Sequence, residues 1–367
     1  MVSDIPLCVI GAGPCGAAAA TALCEHGFRR VMLLEKQQWP RPKTCAGGLG
    51  PRALSWLGRH KLLPRITAAS RAIAGLWFTA PSGKSARLVS PGHMALVLPR
   101  ERLDALLVER AMSAGVDFRP STRVTAVANV KNGVAVSTSR GEIEAAAVVV
   151  AGGAIPGIAG ASPPAKYRAD SIMARFSDFP HNPCEMEMIF PLVLAPHYAW
   201  LFPEPNGCVN VGLIAASRPG RPPLNALFDE VLDLYFASRI AMARQVGPRR
   251  GAPLHCSGLA GKIVDGSVLL SGESAGLVNI ATGEGIPYAL ESGELAAAAI
   301  ARSLAGTKLN GESLVSYQRA VSRRFALPMA VAAAFKGFVG SPVFPAAADI
   351  GTSRVFQGIS AFLFAKV

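Results

Sequence analysis

Four apolar residues in a row, Leu7 to Ile10, run into Gly-Ala-Gly-Pro-Cys-Gly at 11–16 and then into an alanine-rich stretch without charge until Glu25. A short unbroken apolar run bounded by glycine predicts a strand buried on both faces, and the small residues behind it predict a helix to about His26. A second run, Val31 to Leu34, predicts a strand that ends in Glu35. Residues 37–54 are a Pro/Gly-rich loop leading into a helix. Residues 73–100 read as strands joined by a Pro-Ser-Gly turn. A helix is predicted at about Glu101 to Ala114. A meander with Asn-Gly and Arg-Gly turns follows over 116–153 and ends in a buried strand, Ala147 to Ala151. The middle, Ser171 to Ala216, is strand-like and rich in Phe, Met and Val, and a helix covers Leu224 to Ala243. Then come a strand at Val268 to Leu270, a glycine-rich loop and a helix from around Pro287. The last forty or so residues read as apolar helix, and no internal repeat is evident.

With 367 residues, 50% of them hydrophobic, the chain can bury a large core in two or three domains or one elaborated pair. Charge, Gly or Pro interrupts every apolar stretch before it reaches bilayer length, so no transmembrane helix is expected. The first residues lack a basic n-region, and a signal peptide is not expected either. Seven cysteines without a C-x-x-C pair fit neither a disulfide framework nor a zinc site, which points to no metal and to a reducing compartment, the cytoplasm. The net charge is +13, but the basic residues are scattered in pairs such as Arg249-Arg250 and Arg323-Arg324, with no interleaved aromatic platform. That distribution argues against nucleic acid and for a solubilising surface.

The strand, G-x-G-x-x-G, helix order at 7–26 is the context in which three glycines hold a dinucleotide diphosphate. Gly11 permits the turn, Gly13 admits backbone to the phosphates at the helix N-terminus, and Gly16 lets helix pack on strand. Glu35, about 20 residues on, stands where an acid grips a ribose hydroxyl. The second glycine-rich loop lies near the other end of the chain. For both to hold one cofactor, the early strands and the late strand must share a sheet, with the middle inserted as a second domain.

Four stretches together resemble flavoproteins of the p-hydroxybenzoate hydroxylase superfamily, and within it the geranylgeranyl reductase branch. They are the fingerprint with Glu35, "KTCAGGL" at 43–49, "YAWLFP" at 198–203, and "SGESAGLVNIATGEGIPYALESGELAA" at 271–297. The resemblance implies FAD and an α/β architecture: a Rossmann-like FAD-binding domain interleaved with an antiparallel-sheet substrate domain and a helical C-terminal segment. The expected division gives the FAD domain 1–72, 100–165 and 256–305, the substrate domain 73–99 and 166–255, and the C-terminal segment 306–367. It also implies cofactor contacts at Gly11, Gly13, Pro14, Gly16, Glu35, Lys36, Gly47, Gly48, Arg100, Gly272, Glu273, Gly283, Gly285 and Ile286. Two positions depart from the family. Glu273 stands where an Asp holds the ribityl chain, and Gly152-Gly153 replaces an Asp-Gly pair linked to NADPH use. No second G-x-G-x-x-G is present, so NAD(P)H, or another reductant in its place, would meet the flavin only transiently.

The loop Thr282 to Ile286 precedes a helix, so its amides and the positive helix end are expected at the flavin pyrimidine edge, stabilising the reduced anion. Tyr198, Trp200 and Phe202 alternate and fall on one face of a strand. By itself that is a core strand packed on a helix; under the resemblance the rings wall an apolar substrate chamber. A lone cysteine is commonly a small buried hydrophobe, whereas the resemblance gives Cys45 a part in tuning the flavin or in substrate reduction. His197 is a candidate proton donor. Arg41 and Lys43 either attract an acidic head group or are solvated.

Three functions follow. The first is a reductase transferring hydride from reduced flavin to a carbon–carbon double bond of a hydrophobic substrate, an isoprenoid being one candidate, with peripheral contact to a membrane. The second is a monooxygenase that hydroxylates an aromatic or electron-rich small molecule or protein side chain through a flavin hydroperoxide. The third is a non-catalytic FAD-binding or maturation partner acting on another protein; a protein substrate or an electron-transfer partner is also among the candidate partners.

Overall fold

The computed structural model describes residues 6–90, 92–154, 157–161, 168–256, 259, 261–305 and 311–352. The chain divides into two compact units, the first made of 1–42, 103–167 and 255–330, the second of 43–102, 168–254 and 331–367.

In the first unit, three distant segments build one six-stranded sheet in the order Val264–Asp265, Val268–Leu270, Ala147–Val150, Leu7–Ile10, Val31–Leu34, Asp117–Arg119. All neighbours are parallel except the first pair, and Leu7 lies opposite Ala147 on one side and Val31 on the other. The central strands read as unbroken apolar runs because both faces of a parallel sheet are covered; Leu7 to Ile10 and Ala147 to Val150 are buried throughout. The helices Pro14–Glu25 and Ile286–Ala305 lie close together: a Cβ on Gly293 would sit 2.4 Å from the Cys15 carbonyl oxygen. The early and late strands therefore do share one sheet, as a two-loop cofactor site requires. The meander appears as Val124–Val130, Gly133–Thr138 and Gly141–Ala145, turned at Asn132-Gly133 and Arg140-Gly141. Asp117–Arg119, by contrast, leaves that meander and pairs with Val31–Leu34.

In the second unit, a seven-stranded sheet runs Arg244–His255, Arg168–Ser177, Val209–Ala216, Ala199–Pro203, Glu185–Ile189, Gly75–Thr79, Ser85–Val89. From Arg168–Ser177 onward its pairings are antiparallel save one, Glu185–Ile189 with Gly75–Thr79. The helix Leu224–Ile240 lays Leu227, Phe228, Val231, Leu232 and Phe236 on one face of this sheet, against Ile172, Ala174, Leu201, Val211 and Leu213. It ends three residues before the predicted Ala243, where an edge strand begins at Arg244. A small sheet pairs Gly48–Leu49 and Arg71–Ile73 on the two sides of Ala95–Val97. That pairing ties residues 43–72 to the strands at 73–99 within this unit.

The helices Gly311–Val339 and Phe344–Gly351 close the described chain, and residues 353–367 of the expected C-terminal segment lie outside it. Among the described residues no single helix is long and apolar enough to cross a membrane.

Candidate active site

The first unit carries the glycine turn and its acid. Gly11 has φ +99°, and a Cβ there would sit 2.4 Å from the Ala151 carbonyl oxygen, so the close approach of the two strand ends excludes a side chain. A Cβ on Gly16 would lie 1.8 Å from the Gly11 oxygen, which is the close contact of helix on strand expected of the third glycine. Gly13 caps the helix Pro14–Glu25 without a side-chain hydrogen bond, and no acid occupies the first turn. The positive end of that helix is thus open to an anion. Glu35 is buried at the end of Val31–Leu34, where it accepts hydrogen bonds from Ala12 N (3.2 Å) and Gln37 N (3.0 Å). Lys36 beside it is exposed.

Arg41 does something the sequence did not disclose. Its Nε donates to Glu35 (3.0 Å) and its Nη1 to Asp104 (3.1 Å), and the guanidinium lies over the Trp39 ring at 5.3 Å. It is neither solvated nor available to a substrate head group; it holds the acid of the dinucleotide fingerprint in place. Asp104 is fully buried as its second anchor.

The late loop is shaped from within. The Asn279 side chain accepts from Ala281 N (3.0 Å) and Thr282 N (3.1 Å), its carbonyl accepts from Gly283 N (2.8 Å), and Thr282 Oγ1 accepts from Glu284 N (3.3 Å). Four amides are therefore engaged inside the loop, and the role expected of the whole stretch narrows to Gly285 and Ile286 at the start of the helix Ile286–Ala305. Upstream, Gly272 N donates to Ser292 Oγ (3.0 Å), and a Cβ on Gly272 would sit 3.0 Å from that of Cys15, under the fingerprint turn. Glu273 accepts from His255 N (3.3 Å), and Ser274 Oγ donates to the Gly153 carbonyl (3.1 Å). The Glu273 carboxylate lies 3.6 Å from where a Gly153 Cβ would be, so this acid borders the second glycine of the Gly152-Gly153 pair.

The second unit brings Cys45, Gly47, Gly48, Trp200 and Phe202 together. Strand pleating puts Ala199 and Leu201 on the face covered by helix Leu224–Ile240, and Trp200 and Phe202 on the other. The alternate residues thus pack the main core, and Phe202 on the other face packs against the smaller cluster of Ile73, Ala95 and Val97. A Cβ on Gly48 would meet the Phe202 ring at 2.9 Å, and one on Gly212 would meet the Trp200 ring at 2.2 Å; neither loop nor neighbouring strand tolerates a side chain there. Gly47 N donates to Cys45 Sγ (3.4 Å). Tyr198, just before the strand, is buried 6.3 Å from the Trp200 ring centre.

Asn210, fully buried on Val209–Ala216, joins these parts. Its Oδ1 accepts from the Trp200 indole N–H (2.9 Å), and its Nδ2 donates to the Cys45 carbonyl (3.3 Å) and to Met173 Sδ (3.3 Å). A lone polar residue between Val209 and Val211 was the signal for it. Farther along, Arg175 bridges Glu204 (2.8 Å) and Glu101 (2.7 Å). Burial raises the Glu204 carboxyl, and the charge of Arg175 works against that rise. Arg100, next to Glu101, is buried at the start of the helix Arg100–Ser113.

His197 is 2% exposed. Burial first, and the charge of Lys336 second, bring its pKa down from 6.5 to about 4. At neutral pH it has no imidazolium proton to give, which removes the charged form from the donor role expected of it.

The glycine turn, the open helix end and the buried acid at the second strand fit a dinucleotide, and with the late loop they define an FAD-dependent oxidoreductase. Residues 4–154 match the FAD binding domain family. The chain is 30% identical over 324 residues to menaquinone reductase of Mycobacterium tuberculosis, covering 79% of this chain and 74% of that one. It is 29% identical over 332 residues to digeranylgeranylglycerophospholipid reductase of Methanoculleus marisnigri, covering 86% and 81%. A geranylgeranyl bacteriochlorophyll reductase-like protein from Thermoplasma acidophilum has the same fold, with a TM-score of 0.84 at 19% identity over 96% of this chain and 91% of that one. The chain belongs to this family of FAD-dependent reductases, the geranylgeranyl reductase branch of the p-hydroxybenzoate hydroxylase superfamily.

Proposed function

We propose that this enzyme reduces a carbon–carbon double bond in a hydrophobic, isoprenoid-bearing small molecule. The names of its relatives support that substrate class. The observation that carries the reading is the strand Ala199–Pro203, which turns two aromatic rings toward the Cys45 to Gly48 loop while its other face is spent on the core. FAD, when bound, supplies the hydride. Gly11, Gly13, Pro14 and Gly16 receive its diphosphate, Glu35 with Lys36 beside it holds the adenosine ribose, and Gly272 and Glu273 hold the ribityl chain. Gly283 shapes the loop that aims the amides of Gly285 and Ile286 at the ring, and Gly47, Gly48 and Arg100 complete the cofactor set. The first unit is the FAD domain and the second the substrate domain.

Tyr198, Trp200 and Phe202 exclude water and orient the apolar chain. Cys45 is half-buried, and its thiol is the group in that loop able to hold a proton for the substrate carbon. The reductant visits transiently, since no second dinucleotide fingerprint exists in the sequence. We assign the enzyme to the cytoplasm, in peripheral contact with the membrane that dissolves such substrates. The test is spectral: purify the protein, record the flavin absorbance, bleach it anaerobically, then add a geranylgeranyl lipid that carries no quinone ring. Return of the yellow colour without oxygen supports the reading. A flavin that only oxygen reoxidises, with a hydroxylated product, overturns it in favour of a monooxygenase.

A further inference from the structure

The end of helix Gly311–Val339 and the helix Phe344–Gly351 meet at a bend of 101°. Val331, Phe335 and Phe338 follow one another at helical spacing on the first, and Val343 and Ile350 flank the second; all five are between 37% and 70% exposed. Residues 325–352 contain only two charged side chains, Lys336 and Asp349. Asp349 is engaged by Lys84 (3.3 Å) and Ser82 of the hairpin at 75–89, so the corner shows no unpaired carboxylate on a chain of net charge +13. An apolar corner of this kind is uncommon on a protein meant to face water alone.

Beneath the corner lies the segment that feeds the candidate substrate wall. Gly340 sits against Pro196, where a Cβ would meet the ring at 3.3 Å, and Lys336 is near enough to His197 to lower its pKa. The aromatic rings form a file from surface to interior: Phe338 to Phe344 (5.6 Å), Phe344 to Phe190 (6.0 Å), Phe190 to Tyr198 (5.6 Å) and Tyr198 to Trp200 (6.3 Å). Phe338 is exposed, whereas the other four are buried.

We infer that this corner is the surface by which the enzyme settles on an anionic lipid bilayer. Phe335, Phe338, Val343 and Ile350 enter the acyl boundary, the basic chain balances the headgroups, and the aromatic file leads from the lipid toward Trp200. The inference rests on the hydrophobic substrate of the proposed function, but its test needs no turnover. Vesicles of equal parts phosphatidylcholine and phosphatidylglycerol are mixed with the FAD-loaded protein and sedimented, beside the triple variant Phe335→Ser, Val343→Ser, Ile350→Ser. Wild type is expected to pellet with the vesicles and the variant to partition on the order of a hundredfold less, with flavin absorbance and melting temperature unchanged. In detergent-dispersed substrate the two should turn over alike. Equal pelleting of the two proteins overturns the assignment of this corner. Reduction in detergent with no pelleting of wild type overturns membrane docking and leaves the reductase standing. A wild-type dimer that the triple substitution splits, without vesicle binding, gives the face to a second copy instead.

Discussion

Asn210→Leu keeps the branched shape of a fully buried side chain and strips both of its polar ends. The Trp200 indole N–H, 2.9 Å from Oδ1, then faces no acceptor, and the Cys45 carbonyl, 3.3 Å from Nδ2, loses a donor. An orphaned buried N–H costs about 1–3 kcal/mol, while the longer bond to a half-buried loop counts for about 1 kcal/mol, so a loss of about 3 kcal/mol is expected. Urea unfolding of the FAD-loaded protein, followed by circular dichroism and tryptophan fluorescence, reads that loss. A second effect separates positioning from stability. Asn210 fixes Trp200 and Cys45 relative to each other, so kcat/KM at a temperature where the variant is fully folded should fall on the order of a hundredfold. Bound FAD per protein should stay the same. Asn210→Asp keeps the acceptor for Trp200 and loses the donor to Cys45, so it should retain the indole environment while losing activity. A variant within about 0.5 kcal/mol of wild type, with unchanged kcat/KM, would refute the reasoning.

Other perturbations follow from the same contacts. Gly16→Ala puts a Cβ 1.8 Å from a backbone oxygen, so the turn must move, and the flavin-to-protein absorbance ratio of purified variant should fall at least about tenfold. Glu35→Gln removes the charge that Arg41 binds at 3.0 Å, and the FAD dissociation constant, measured by fluorescence quenching, should rise about tenfold. His197 titrates at about 4 folded and 6.5 unfolded, so the unfolded chain binds more protons in that window and stability falls as pH drops through it. Its share of the loss from pH 8 to pH 5 is about 2 kcal/mol, and in His197→Gln the pH dependence of urea unfolding should shrink by that amount.

The first unit was legible because its signals are local. An unbroken apolar run and a glycine turn determine a buried parallel strand and its exit, and Leu7–Ile10 and Val31–Leu34 have the expected bounds. Three-residue Asp117–Arg119 carries no period of its own, and its partner Val31–Leu34 is some eighty residues away, so it read as the start of the meander. Arg244–His255 was invisible for another reason: with Gly247, Pro248 and four arginine or glutamine side chains it has no alternation, and an edge position tolerates that. The two-residue strand Gly48–Leu49 is shorter than periodicity resolves. Within the site, glycines and aromatic spacing were readable, but the partners of Arg41 and Asn210 were not. Asp104 and Cys45 lie 63 and 165 residues from them, and only folding makes them neighbours.

The most direct test is a single anaerobic turnover. Reduced, FAD-loaded enzyme is mixed with a geranylgeranyl lipid in detergent, and the product mass is read after quenching. The account predicts a gain of two hydrogens for each flavin oxidised. An unchanged mass without oxygen, and a gain of one oxygen atom once air is admitted, would contradict it.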